Sequence, residues 1–256
     1  MNKKLIFFLG ILILLFFFLL FKWRENTPYV IVKDLLREGS LEGKTLKFYP
    51  EYLGIIPIGE AILKDEGEIV YEGKKVYLLS ATAHTHQFLS KLFKVKAEVK
   101  SFVDPFNLYT LLFLQHFEMS NRPKRNKKII YDQENNIMEF EGVKRVILPH
   151  THDPLSAIFY IRKQEFAVGE VFDLNLNTNQ KNYRLLAKVI RKEKFRVRDK
   201  TIGIWVLEAE IKRRNKSLRH SSSFTIWFLD NSSKTPILIK AMTNMGLITS
   251  RLGKIQ

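Results

Sequence analysis

The chain has 256 residues, 46% of them hydrophobic, enough to bury one good-sized core, and 42 Lys+Arg against 26 Asp+Glu give a net charge of +16. It has no cysteine, which excludes a disulfide framework, a thiolate zinc site and a cysteine nucleophile, and leaves six histidines as the soft metal ligands. The surplus of cations implies an anionic neighbour.

After a short tail, residues 1–4, an apolar run of seventeen residues extends from Leu5 to Phe21. As a helix it would rise about 26 Å, close to the thickness of a hydrocarbon core. Lys22, Trp23 and Arg24 follow it, an indole and long cations suited to headgroup level. No small-residue cleavage site and no lipobox cysteine follow the run, so a retained transmembrane signal anchor is expected at 5–21. Lys3 and Lys4 face Lys22, Arg24, Lys33 and Arg37, a count that alone favours a cytoplasmic domain. Long domains translocate regardless of such counts, and a short leader before an apolar run is how export signals begin. A single-pass protein of the inner (cytoplasmic) membrane, its C-terminal domain in the periplasm, is therefore favoured. Residues 22–43 read as a polar juxtamembrane linker with one helical turn around Asp34 to Glu38, stopped by Gly39.

From residue 44 to 256 the pattern predicts a mainly β domain. Short runs of aromatic and β-branched residues are broken by turn signals at Asp65-Glu66-Gly67, Glu72-Gly73, Asp104-Pro105, Glu134-Asn135-Asn136 and Glu141-Gly142, a spacing that means antiparallel sheet. Trp205, Leu207, Ala209 and Ile211 alternate with Val206, Glu208 and Glu210, as a strand with one buried and one wet face requires, and Phe224, Ile226 and Phe228 repeat it. One segment breaks the rhythm. Asp153 as N-cap, Pro154 at the first helical position and Arg162-Lys163 at the end predict a helix. Its apolar residues surround most of the circumference, so it should be buried against a curved sheet, a half-barrel or open barrel.

The chain resembles a bacterial family, domain of unknown function 3108, whose members are generally exported. The motifs are Tyr52-Leu53-Gly54 with Ile58-Gly59-Glu60-Ala61, Ser101-Phe102-Val103-Asp104-Pro105, Tyr131-Asp132, Asp153-Pro154-Leu155-Ser156-Ala157, Val168-Gly169-Glu170, and Ile226-Trp227-Phe228-Leu229-Asp230 with Pro236. The likeness spans roughly Leu46 to Leu252, with one departure: Arg198-Asp199-Lys200 stands where a Pro-Ala-Gly turn is usual. The resemblance implies a β-rich envelope protein, similar in architecture to the half-barrels that carry lipoprotein acyl chains. On that analogy Tyr52, Gly54, Gly59, Asp153, Pro154, Ser156 and Trp227 are structural.

His84-Thr85-His86 and His150-Thr151-His152 could supply imidazoles to a metal if both pairs met, but no carboxylate is tied to either by spacing, and no metal site or cofactor is assigned. Ser156, three residues after Asp153, reads as a capping partner; it lacks the strand-to-helix elbow of a nucleophile, and the chain is read as non-enzymatic. Gly54 and Gly59 bracket Ile55-Ile56-Pro57-Ile58, an apolar turn that could line a hydrophobic mouth together with Phe88 and Phe93. Phe88, Leu89, Leu92 and Phe93 also fit a short amphipathic turn at a core edge.

Positive charge gathers in Arg122 to Lys128, Lys188 to Lys200 and Lys212 to Arg219. Arg122, Lys124, Arg125, Lys127, Lys128, Lys194, Arg196, Arg198, Arg213 and Arg214 are the candidates for contact with anionic headgroups. Lys194, Arg196 and Arg198 share a strand face, and Glu208 and Glu210 on the next strand are expected to answer part of that charge. No recognition helix or zinc finger supports nucleic acid as a partner. Membrane lipid, or another apolar ligand bound near the membrane, is the first reading, and a scaffold that docks another envelope protein is the second.

Overall fold

β-branched and aromatic residues at alternate positions, punctuated by residues that tolerate positive φ, make fifteen strands of one antiparallel sheet in a computed structural model of the chain. It describes residues 27–38, 43–90, 93–120, 122–213, 222–243 and 246–256. The anchor segment 5–21 and Arg214 lie outside the described residues. Among the described residues no helix is long and apolar enough to cross a membrane.

The strands are β1 (Thr45–Tyr52), β2 (Ile56–Pro57), β3 (Gly59–Tyr71), β4 (Lys74–Thr85), β5 (Val95–Val103), β6 (Thr110–Met119), β7 (Arg125–Asp132), β8 (Ile137–Phe140), β9 (Val143–Val146), β10 (Val171–Thr178), β11 (Lys181–Val197), β12 (Lys200–Arg213), β13 (Ser222–Leu229), β14 (Pro236–Thr243) and β15 (Gly246–Ile255). The order is β10-β11-β12-β13-β14-β15-β1-β3-β4-β5-β6-β7-β8-β9, with β2 folded back on β1. Glu72-Gly73, Glu141-Gly142 and Asn179-Gln180 turn with both residues at positive φ, the geometry that matches strand twist. Asp65-Glu66-Gly67, expected as a turn, is instead a bulge inside β3: Gly67 at φ +82° absorbs an extra residue, and its N–H donates to Asp65 Oδ1 at 3.2 Å.

The two edges of the sheet come together. His152 forms a parallel bridge with Leu176 of β10, its N–H donating to Asn175 O and its carbonyl accepting from Asn177 N, both at 2.8 Å. Asn182 Nδ2 then reaches Val146 O of β9 at 3.0 Å. The sheet thus wraps into a barrel-like shape around the predicted helix, α3 (Pro154–Lys163). On one side of α3, Leu155 and Phe159 pack with Leu79, Val103 and Leu108; on the other, Ala157 and Ile161 pack with Leu176, Leu185, Leu207 and Phe228. A four-residue helix, α2 (Gln87–Ser90), lies in the connection from β4 to β5.

The segment expected to be a polar linker holds an eleven-residue helix, α1 (Pro28–Glu38), longer than one turn and part of the core. Its Ile31, Val32 and Leu35 are buried with Ile204, Val206, Trp227, Leu229 and Leu238. This corrects the reading of β12 as a strand with one wet face. Leu207 and Ala209 face α3, whereas Ile204 and Val206 are covered in the cluster that α1 completes. Glu208 and Glu210 do not answer Lys194 and Arg196 either. The turn after Val197 puts Lys194 opposite Gly203 and Arg196 opposite Thr201, and a bulge near Val189 leaves Glu208 opposite Lys188.

Candidate ligand-binding site beside the buried helix

The strand connections fall at two ends of the barrel. At one, with turns at 104–109, 198–199 and 230–235, α3 is held by both of its ends. Asp153 is the N-cap: its Oδ1 accepts from the N–H of Leu155 at 2.7 Å and of Ser156 at 3.2 Å, while the Ser156 hydroxyl accepts from the Asp153 N–H at 3.0 Å. The second carboxylate oxygen accepts from the hydroxyls of Ser101 and, at 2.8 Å, Thr110. Ser101, Thr110 and Ser156 are fully buried and Asp153 is 1% exposed. A buried carboxylate is tolerable only when so many donors converge on it. Gln133 stitches the same region, its amide nitrogen donating to Thr110 O at 2.5 Å and Thr151 O at 2.9 Å and its oxygen accepting from Thr151 N at 3.1 Å. At the helix C-terminus Arg162, also buried, donates to Ser233 O at 3.1 Å and lies over the Phe159 ring.

His152 belongs to this network. Its Nδ1 lies 3.2 Å from Leu108 O and 3.5 Å from Ser156 Oγ, its ring packs on Tyr160, and burial pushes its pKa down to about 4. A Ser, a His and an Asp are thus adjacent, but Ser156 is sealed from solvent and its hydroxyl is committed to the cap. The two histidine pairs are not brought together: His84 and His86 line one cleft and His150 and His152 another. Among the described residues no three potential metal ligands cluster.

On the far side of α3 the interior is not filled. Cross-strand pairing places Leu63, Ala81, Val99, Gln115 and Lys127 in one row and Leu79, Ser101, Phe113 and Ile129 in the next, all on the face that looks at α3. Nearer the open end the row is Ala61, Ala83, Ala97 and Phe117. A cleft of about 350 Å³ lies between the first two of these rows and Pro154, Leu155 and Ile158 of α3. Ala81, Val99, Phe113 and Ile129 form its apolar wall. Lys127, Asn177 and Asn179 supply polar groups, with Lys127 Nζ donating to Asn179 Oδ1 at 2.9 Å and Tyr131 OH to Asn177 Oδ1 at 3.3 Å. Burial pushes the Lys127 ammonium down, and Arg125 adds repulsion.

The residues proposed from sequence as an apolar mouth stand at the rim of this open end. Ile56 and Pro57 of β2 are exposed, Ile55 and Ile58 are half-buried, and the His86 N–H donates to Ile58 O at 3.2 Å, so this turn adjoins α2. Phe88 is 81% exposed and Phe93 48%. None of them lines the cleft beside α3. Gly54 sits in the same turn at φ +70°, and Tyr52 lies against Gly246. Gly59 is required by a close approach, since a Cβ there would lie 2.1 Å from His84 O.

The basic candidates divide between the two ends. Lys194, Arg196 and Arg198 are exposed near the 198–199 turn, whereas Arg122, Lys124, Arg125, Lys128 and Arg213 are at the open end. Lys124 is paired with Glu118 at 2.7 Å. Arg125 and Lys127 share the interior parity, and of the first cluster's described residues it is Lys127 that lines the cleft.

The family model described as a protein of unknown function, DUF3108, matches residues 46–252. The fold is similar to a beta-barrel-like protein of domain of unknown function DUF1849 from Brucella abortus, with TM-score 0.54 at 6% identity over 81% of this chain and 94% of that one. A protein from Bacteroides fragilis, described as exported and of YmcC-like fold, aligns at TM-score 0.35 and 9% identity over 85% and 97% of the two chains. A Parabacteroides distasonis protein described as a lipoprotein aligns at 0.35 and 6% over 84% and 95%. No curated protein matches the chain.

Proposed function

The chain belongs to the DUF3108 family, a family of unknown function, and from that premise we propose that it is an envelope protein that holds the acyl chain of a lipid in the cleft beside α3. One observation carries the reading: on the sheet face inside the barrel, Ala81, Val99 and Phe113 are only half-covered and, with Ile129, border an open cleft beside α3. Interior apolar surface that the protein does not cover with its own side chains is the signature of a small-molecule site. The volume is within the range of such sites, and Lys127, Asn177 and Asn179 gather at one edge, as an amphiphile requires. The apolar run 5–21 supports a location at the membrane, where lipid is at hand.

The test is extraction of the full chain in a mild neutral detergent, followed by mass spectrometry of the intact complex. Wild type should carry a bound lipid, and Val99→Trp, which fills the cleft, should lose it while its denaturation midpoint stays near that of wild type. A wild-type protein that carries no lipid and takes up no added acyl chain would overturn the reading.

A further inference from the structure

The cleft has a polarity of its own. Its floor is the capped N-terminus of α3, where the Asp153 carboxylate lines it, but both Asp153 oxygens are committed to Ser101, Thr110 and the N–H groups of the first helical turn. Its upper edge holds a cation in a different condition. Lys127 is half-buried, its hydrogen-bond partner is the neutral amide of Asn179, and among the described residues no carboxylate pairs with it. Its neighbour Lys124 and the outward Lys100 both have carboxylate partners, Glu118 and Glu98. The turn that carries Asn179 runs at φ +49° and +60° through Asn179 and Gln180, which points it back over the cleft from the other edge of the sheet. An ammonium brought out of water without a counter-charge is costly, and a ligand that brings an anion removes the cost.

Resting on the reading of the cleft as an acyl-chain site, we infer that its ligand is an amphiphile whose chain lies against Val99, Phe113 and Ile129 and ends in an oxyanion head, a carboxylate or a phosphate, held at the mouth by Lys127 and Asn179. Asn179 can turn its amide so that nitrogen and ammonium both donate to the head. Burial holds the Lys127 ammonium below its ordinary pKa, and the incoming anion restores it.

The full chain in neutral maltoside micelles is offered three photoactivatable probes of one chain length, dodecanoate, dodecyl phosphate and dodecanol, and the labelled peptides are mapped. The cleft peptides should be labelled by at least one acid about tenfold more than by the alcohol, as one charge-assisted contact provides. Lys127→Gln should reduce acid labelling to the level of the alcohol without changing the alcohol, and Lys127→Arg should restore it. The stronger of the two acids identifies the source, a fatty-acid carboxylate or a phosphate headgroup. Equal labelling by all three, or an acid preference that survives Lys127→Gln, overturns the assignment of the head and leaves the acyl-chain site standing. Absence of cleft labelling by any probe overturns the site itself.

Discussion

The Ser101 hydroxyl donates to Asp153 Oδ2 across 52 residues of sequence, and this bond ties the C-terminal part of β5 to the first turn of the helix inside the barrel. Ser101 occupies the interior parity of its strand, between buried Phe102 on the outer face and the ends of the row that α3 covers. Two stretches that look unrelated in the sequence, Ser101 to Pro105 and Asp153 to Ala157, are therefore two halves of one buried polar knot.

That knot should dominate the stability of the helix. Ser101→Ala leaves Asp153 Oδ2 with Thr110 and should cost about 1 to 2 kcal/mol. Asp153→Ala strands the hydroxyls of Ser101 and Thr110 and the N–H groups of Leu155 and Ser156 together, and should cost more than about 3 kcal/mol. Urea denaturation of the full chain in maltoside measures both, and equal effects would show that the cap is not the centre of the knot.

His152 should make the fold acid-sensitive. Its pKa is about 4 in the folded chain against about 6.5 in the unfolded one, so the unfolded state takes up a proton first as pH falls. The stability it contributes is complete above about pH 6.5 and is lost as pH falls toward 4, by up to roughly 3 kcal/mol. His152→Asn keeps a donor for Leu108 O and cannot titrate. The difference in stability between the two proteins, followed from pH 7 to 4.5, should shrink as wild type weakens.

Leu35 is 2% exposed and packs with the cluster that contains Trp227. Leu35→Ala should cost about 2 to 5 kcal/mol and shift the Trp227 emission, whereas a true linker would register neither. Fluorescence-detected unfolding reads both.

Gly59→Ala places a methyl group against His84 O in the neighbouring strand, which has to move. The β3–β4 pair should open locally and the thermal midpoint should fall; overpacking of this kind costs about 1 to 3 kcal/mol.

The parts of the fold legible in the sequence were those with short-range causes. Asp153, Pro154 and the terminal Arg162-Lys163 specify a helix within ten residues, and Glu72-Gly73 or Glu141-Gly142 close hairpins alone. α1 escaped because Ile31, Val32 and Leu35 are few and sit among charges, and the surfaces they cover lie far along the chain. The cleft escaped for the same reason. Ala81, Val99, Phe113 and Ile129 become a wall only through three strand registers, and Lys127 looks like any member of a basic run until its pairing with Gln115 fixes which face it takes. Ser101 alone carried a signal, a small polar residue at the interior parity of an apolar strand.

If residues 5–21 sit in a membrane, as proposed, the packing of α1 decides which end of the barrel lies nearest to it. Its buried residues join the cluster of Val197, Leu229 and Ile255, at the end of the barrel that α3 closes, and Tyr29 rests on Phe195 with ring centroids 6.0 Å apart. The chain between Phe21 and Thr27 can span at most about 20 Å. A membrane that held residues 5–21 would therefore lie at the plugged end, and the mouth with Lys127 would face away from it.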